Sequence, residues 1–140
     1  MSRIFWDSNL FIYFLEGNDA RSAAAKRLLG SMLDRGDQLL TSTLSVGEIL
    51  VKPASQGNRA LCAQYEEILA NAAIILPFDL PASRRYAAIR SSTSIKAPDA
   101  IQLACAGQAG VDLFVTNDRR LQGKQVEGIQ FIVALEQVPI

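Results

Sequence analysis

The sequence predicts an α/β fold, a three-layer α/β/α sandwich around a mostly parallel five-stranded sheet, with residues 1–140 forming a single domain. Three observations predict it. Five short runs rich in β-branched and aromatic residues recur along the chain, longer stretches with helical periodicity separate them, and 140 residues suffice for one sizeable core but not for two.

Taken in order, Ile4-Phe5-Trp6 is a compact first strand, and Asn9 to Leu15 is a very apolar helix ending at Gly17. Asp19 to Arg35 places Ala25, Leu28, Leu29, Met32 and Leu33 on one helical stripe, with Gly36 where a glycine closes a helix. Gln38 to Thr41 is the second strand. Ser45 to Val51 is a short helix stopped by Pro53, and Asn58 to Ala72 is a helix presenting Leu61, Tyr65, Ile68 and Leu69. Ile74 to Phe78 is the third strand. Pro81 and Pro98 each open a helix, since a first-turn proline loses no hydrogen bond, and Asp112 to Thr116 and Gln130 to Val133 are the last strands.

Composition excludes much chemistry. The chain has 14 Lys and Arg against 14 Asp and Glu, and no histidine. Serine or cysteine hydrolases that depend on an imidazole base, and histidine-based zinc sites, are therefore impossible. Cys62 and Cys105 lie in helical stretches without a CxxC pattern and read as buried thiols. Neither a signal peptide nor an 18-residue apolar window is present, which predicts a soluble cytoplasmic protein without a membrane segment.

In an open parallel sheet, ligands bind beyond the carboxyl ends of the strands, so the polar residues there carry the functional signal. Asp7 follows strand one, Glu48 lies early in the helix after strand two, Asp99 opens the helix leading into strand four, and Asp118 follows strand four. Each also has a structural explanation. Asp7 suits a helix N-cap, Ser45-Val46-Gly47-Glu48 matches a capping box, Asp99 suits a helix N-terminus, and Asn117-Asp118 suits a turn. Asp79, after strand three, either faces the cleft or caps the Pro81 helix. Four carboxylates in one crevice repel one another unless a cation is bound, and an all-oxygen set fits Mg²⁺ or Mn²⁺ rather than zinc or copper. That chemistry points to hydrolysis of phosphodiesters by a metal-activated water.

Asp7-Ser8-Asn9, the Ser45 to Glu48 element, Pro98-Asp99-Ala100-Ile101-Gln102-Leu103-Ala104 and Val115-Thr116-Asn117-Asp118 together resemble the four acidic motifs of PIN-domain ribonucleases, in particular VapC-like toxins of toxin–antitoxin pairs. The resemblance runs from Ile4 to about Val133 and departs at Arg119-Arg120-Leu121, where relatives commonly carry an aromatic. It implies that Asp7, Glu48, Asp99 and Asp118 are catalytic metal ligands for Mg²⁺ or Mn²⁺, and that Asn9 and Thr116 support them. It also implies an RNA substrate, a small antitoxin partner and a homodimer.

Lys96 and Arg119 are the basic residues expected nearest an RNA substrate, because phosphate contacts supply most of the affinity. Leu10 to Leu15 is apolar nearly all round, as in a deep core helix or an interface. Two other classes remain open at this level: a phosphoaspartyl protein of the receiver or phosphatase type using Asp7 or Asp79, and a non-catalytic PIN-like binding module.

Overall fold

The computed structural model describes residues 1–139. The chain runs β1 (Arg3–Trp6), α1 (Ser8–Glu16), α2 (Ala20–Arg35), β2 (Gln38–Ser42), α3 (Thr43–Ser55), α4 (Arg59–Ala72), β3 (Ile74–Leu76), α5 (Leu80–Ser92), α6 (Ala97–Ala109), β4 (Val111–Val115), β5 (Ile129–Val133) and a closing 3₁₀ turn, Leu135–Gln137. The five strands form one sheet in the order β3-β2-β1-β4-β5, and every pairing is parallel. The predicted α/β architecture is the one observed.

Strand β1 occupies the centre, which is why so short a strand is wholly apolar: a parallel strand covered on both faces must be buried on both. Its period-two alternation splits the core. Ile4 and Trp6 pack with Leu10, Phe11, Met32, Ile49 and Leu69 under the layer made by α1 to α4. Phe5 points the other way, stacks on Phe114 with ring centroids 4.9 Å apart, and packs with Leu103, Ala104 and Ile129 under α5 and α6. The apolar run of α1 is mostly core: Leu10 and Phe11 are buried, and Ile12 to Leu15 pack half-buried against the first cluster.

Three local expectations are corrected. Pro53 does not stop α3, which continues through it to Ser55. The proline falls in the last turn and is buried, so the helix loses one hydrogen bond there, while the Gln56 and Gly57 N–H groups still close the end on Lys52 and Ala54. Ser45 to Glu48 is not a capping box, because the N-cap is Ser42, whose Oγ accepts the Ser45 N–H at 3.2 Å. Strand β3 ends at Leu76, two residues before the predicted Phe78, since Pro77 has no N–H to continue a ladder.

Candidate active site

The site is built at the carboxyl edge of β1, β2 and β4. Leaving β1, the Asp7 N–H donates to the Val115 carbonyl (3.1 Å), which ties the first residue past β1 to the end of β4. Its carboxylate is buried and caps α1: Oδ1 accepts from the Ser8 hydroxyl (3.2 Å) and the Asn9 N–H (3.4 Å). Oδ2 accepts the Thr116 hydroxyl proton at 2.8 Å, and the same hydroxyl oxygen accepts the Asp118 N–H at 3.1 Å. Thr116, fully buried, thus positions two of the four acids at once.

Glu48 and Asp99 approach from α3 and α6. Between them lies Gln102, buried one turn beyond Asp99. Its Nε2 donates to Ser45 Oγ (2.7 Å) and Glu48 Oε1 (3.4 Å), and its Oε1 accepts from Ser42 Oγ (2.5 Å). This network joins α6 to the start of α3 and sets the helix carrying Glu48 against the helix carrying Asp99. Asp118, in the loop after β4, is gripped by Arg120, whose Nε and Nη2 donate to its two oxygens at 3.0 and 2.7 Å.

Electrostatics show that the four acids share one field. Glu48 is exposed as a residue, with its Oε1 partly buried against Gln102. That burial, and secondarily the negative charge of Asp7 and Asp99, raises its pKa above 4.5, against the lowering effect of hydrogen bonds from Ser8 and Gln102. Asp99 is raised above 3.8 by burial and then by Asp118 and Asp7, opposed by Arg120 and Lys96. Asp118 goes the other way, lowered chiefly by its hydrogen bond from Arg120. Among the described residues no three carboxylates are drawn close enough to grip an ion as they stand. Mg²⁺ needs only one or two, completing its shell with waters and substrate oxygens.

Of the supporting residues named from sequence, Thr116 holds Asp7 through its side chain, whereas Asn9 reaches Asp7 only through its backbone. Lys96 lines a hollow of about 280 Å³ beside the acids together with Asp99, Arg120 and Lys124. Arg119 faces a different hollow, with Asn117 and Arg21. Asp79 caps α5, accepting the Ala82 N–H at 3.0 Å. Two contributors escaped the sequence reading. Gln102 was signalled only as the one strongly polar residue in the run Ala100–Ala106, and the choice of Arg120 over Arg119 as partner of Asp118 has no sequence signal. The departure at Arg119-Arg120-Leu121 is absorbed, since Leu121 is buried in the second core cluster.

Comparison with known proteins gives this geometry a family. The PIN domain family model matches residues 4–126, most of the chain and all four acids. The chain belongs to the PIN domain family. No curated protein sequence matches this PIN chain. Among solved structures, it is similar to the VapBC2 complex of Rickettsia felis bound to a DNA fragment from its promoter, with a TM-score of 0.75 and 12% identity over 94% of this chain and 98% of that one. It is also similar to DNA-bound VapBC of Salmonella typhimurium (TM-score 0.73, 17% identity, 96% and 99% covered). A third likeness is to a VapC toxin of Mycobacterium tuberculosis that cleaves the sarcin–ricin loop (TM-score 0.63, 17% identity, 79% and 86% covered). The PIN fold seen in these toxin–antitoxin proteins is therefore the fold of this chain.

Thr116→Val tests how the PIN site is held. The change keeps shape but removes the donor to Asp7 and the acceptor for the Asp118 N–H. We expect a loss of about 10–100-fold in any cleavage activity, as for removal of a hydrogen-bonding partner behind a metal ligand. A cost of about 1–3 kcal/mol in chemical denaturation should accompany it, from the unpaired buried groups. Unchanged activity would remove Thr116 from the site.

Proposed function

We propose that this PIN chain is a metal-dependent endoribonuclease and the toxin of a toxin–antitoxin pair. The observation that carries the reading is the convergence of Asp7, Glu48, Asp99 and Asp118 on one sheet edge in a PIN fold, where burial and, after it, the negative charge of the neighbouring acids raise two of them. The donor set, carboxylates with neither imidazole nor thiolate, fits Mg²⁺ or Mn²⁺. These four acids would hold the ion. When bound, it would polarise the scissile phosphate and supply a nucleophilic water at neutral pH.

The chain's own groups do the rest. Thr116 and Ser8 fix the Asp7 carboxylate, Gln102 fixes Glu48, and Arg120 holds Asp118 in its ionised form. Lys96 and Lys124, beside Asp99, would draw in the RNA backbone. The likeness to VapBC complexes supports an antitoxin partner for this chain; a homodimer in the cytoplasm completes the proposed reading. No helix among the described residues is long and apolar enough to cross a membrane.

The phosphoaspartyl alternative gains nothing from the geometry. Both Asp7 oxygens accept hydrogen bonds. Asp79 follows the edge strand, two strand spacings (about 10 Å) from β1, and caps a helix. The direct experiment is incubation of the purified chain with single-stranded RNA in Mn²⁺ or Mg²⁺, then with excess EDTA. Metal-dependent, EDTA-sensitive cleavage is expected, and its absence with both ions overturns the reading.

Stability should report the ion independently. Folding holds Glu48 and Asp99 above their ordinary 4.5 and 3.8. Their stabilising contribution is therefore complete below those values and is lost as pH rises through the folded ones. Asp118 acts oppositely, stabilising above 3.8 and ceasing to do so as pH falls through its lowered value. A divalent ion relieves the repulsion only where the acids are ionised. Mg²⁺ or Mn²⁺ should thus raise Tm near neutral pH and leave it unchanged near pH 3, in thermal melts with and without EDTA. Equal shifts at both pH values would count against ion binding at these acids.

A further inference from the structure

The loop after β4 is a ridge with a polar hollow on each side. Arg120, Leu121 and Lys124 face the hollow that holds Lys96 and Asp99, whereas Asn117, Arg119 and Gln122 face the other, with Arg21, Glu136 and Gln137 opposite. Asp118 lies on the ridge between Asn117 and Arg119. The second hollow lies across this ridge from Asp99, formed by the N-terminal turn of α2, the ridge and the 3₁₀ turn.

Each of its amide side chains is engaged in at least one hydrogen bond. Gln122 Nε2 donates to the Thr116 carbonyl (3.2 Å), Asn117 Nδ2 donates to the Tyr13 hydroxyl (3.5 Å) while its Oδ1 accepts the Leu135 N–H (3.4 Å), and Gln137 Oε1 accepts the Ala134 N–H (3.2 Å). These bonds stiffen the walls, and the two guanidiniums are the charged donors that line the hollow. Arg21 lies over the Tyr13 ring, 5.4 Å from its centroid, an arrangement that leaves its in-plane N–H groups free. Among the described residues neither Arg21 nor Arg119 forms an ion pair, although Glu136 lines the same hollow. Two unpaired arginines converging on a polar hollow suit an anion with several acceptor oxygens.

We propose that the Arg21–Arg119 hollow is a phosphate subsite for the RNA strand, engaging a backbone phosphate flanking the scissile bond on the side opposite Lys96 and Lys124. This rests on the nuclease reading for its substrate. The strand would then cross the ridge at Asp118, with a basic hollow gripping it on each side of the acids, and both arginines would position it without touching the reacting atoms.

The test measures binding of a fluorescent single-stranded oligoribonucleotide to the Asp7→Asn protein in EDTA as salt is varied. Against that background, Arg21→Gln with Arg119→Gln should weaken binding on the order of tenfold and flatten the log–log salt slope by about 0.7, the contribution of the one phosphate the two arginines share. Arg35→Gln, an exposed charge at the opposite sheet edge, should leave the slope unchanged. Each arginine is also replaced singly, with melting curves to show that the variants fold. An unmoved slope in the folded double variant overturns the subsite. So does a double variant that loses affinity for poly-glutamate but not for RNA, which would assign the hollow to an acidic protein segment. Cleavage by the wild-type chain in Mn²⁺ is read separately. If it cleaves while the slope stays fixed, the nuclease stands and the subsite falls; if it never cleaves while the slope shifts, the hollow stands and the nuclease falls.

Discussion

Asp7→Asn is expected to lower RNA cleavage on the order of 10³-fold or more, the scale typical of removing an essential group from a concerted site, while the chain still folds. The substitution keeps the size of the side chain and its capping oxygen, so α1 retains its acceptor for the Ser8 hydroxyl and the Asn9 N–H. What it removes is the negative charge at the most enclosed of the four acids, the one closest to both Thr116 and the centre of the sheet. An amide replaces an oxygen at Oδ2 and the Thr116 hydroxyl must turn to meet it, so the melting temperature should fall by no more than a few degrees. Initial rates on a fluorogenic RNA, beside circular-dichroism melts, separate the two effects. Cleavage within a few-fold of wild type would mean that Asp7 serves only as a helix cap and that the proposed chemistry lies elsewhere.

Gly128→Ala should produce the largest loss of stability of any single methyl addition in this chain. Gly128 opens the approach to β5 with φ of 89°, and a Cβ there would fall 2.1 Å from the Gly107 carbonyl oxygen and 2.8 Å from the Gly107 Cα. Gly107 in turn leaves room for the Glu127 carbonyl, which a Cβ would meet at 2.6 Å. Both partners are backbone, held by α6 on one side and by the β4–β5 pairing on the other, so neither yields cheaply. Overpacking of this kind costs about 1–3 kcal/mol and the left-handed backbone adds roughly 1–2 kcal/mol. At about 3–4 °C per kcal/mol for a chain of this size, Tm should drop by roughly 10 °C. A drop of under about 2 °C would show that the α6–β5 contact is pliable. Because α6 also carries Asp99 and Gln102, activity per folded molecule should fall as well.

Much of the fold was legible because its signals are local. Strand β1 reads as apolar and buried from Ile4-Phe5-Trp6 alone, Gly36 closes α2 in the left-handed conformation expected of it (φ 73°), and Pro81 and Pro98 each sit in a first turn. The misreadings came where a tertiary contact outweighed a local rule. Pro53 is tolerated inside α3 because its ring is buried and the helix end is closed beyond it. Ser45 and Glu48 match a capping box, yet Ser42 takes the cap and releases Ser45 to accept from Gln102.

For the site, the sequence by itself determined the chemistry available: 14 acids, no histidine, and four of those acids each placed just after a strand or in the opening turns of a helix. Only the tertiary structure decided how they are held and where the cations fall. Thr116 reaches Asp7 across 109 residues and Gln102 reaches Ser42 across 60, and no periodicity within one element encodes a bond of that span. Arg119 and Arg120 are adjacent and equivalent in the sequence, but the ridge sends Arg120 to Asp118 and Arg119 to the opposite hollow beside Arg21. Residue type is written locally, whereas a partner is set by the path of the whole chain, and here that path turns a neutral total charge into an acidic centre flanked by two basic hollows.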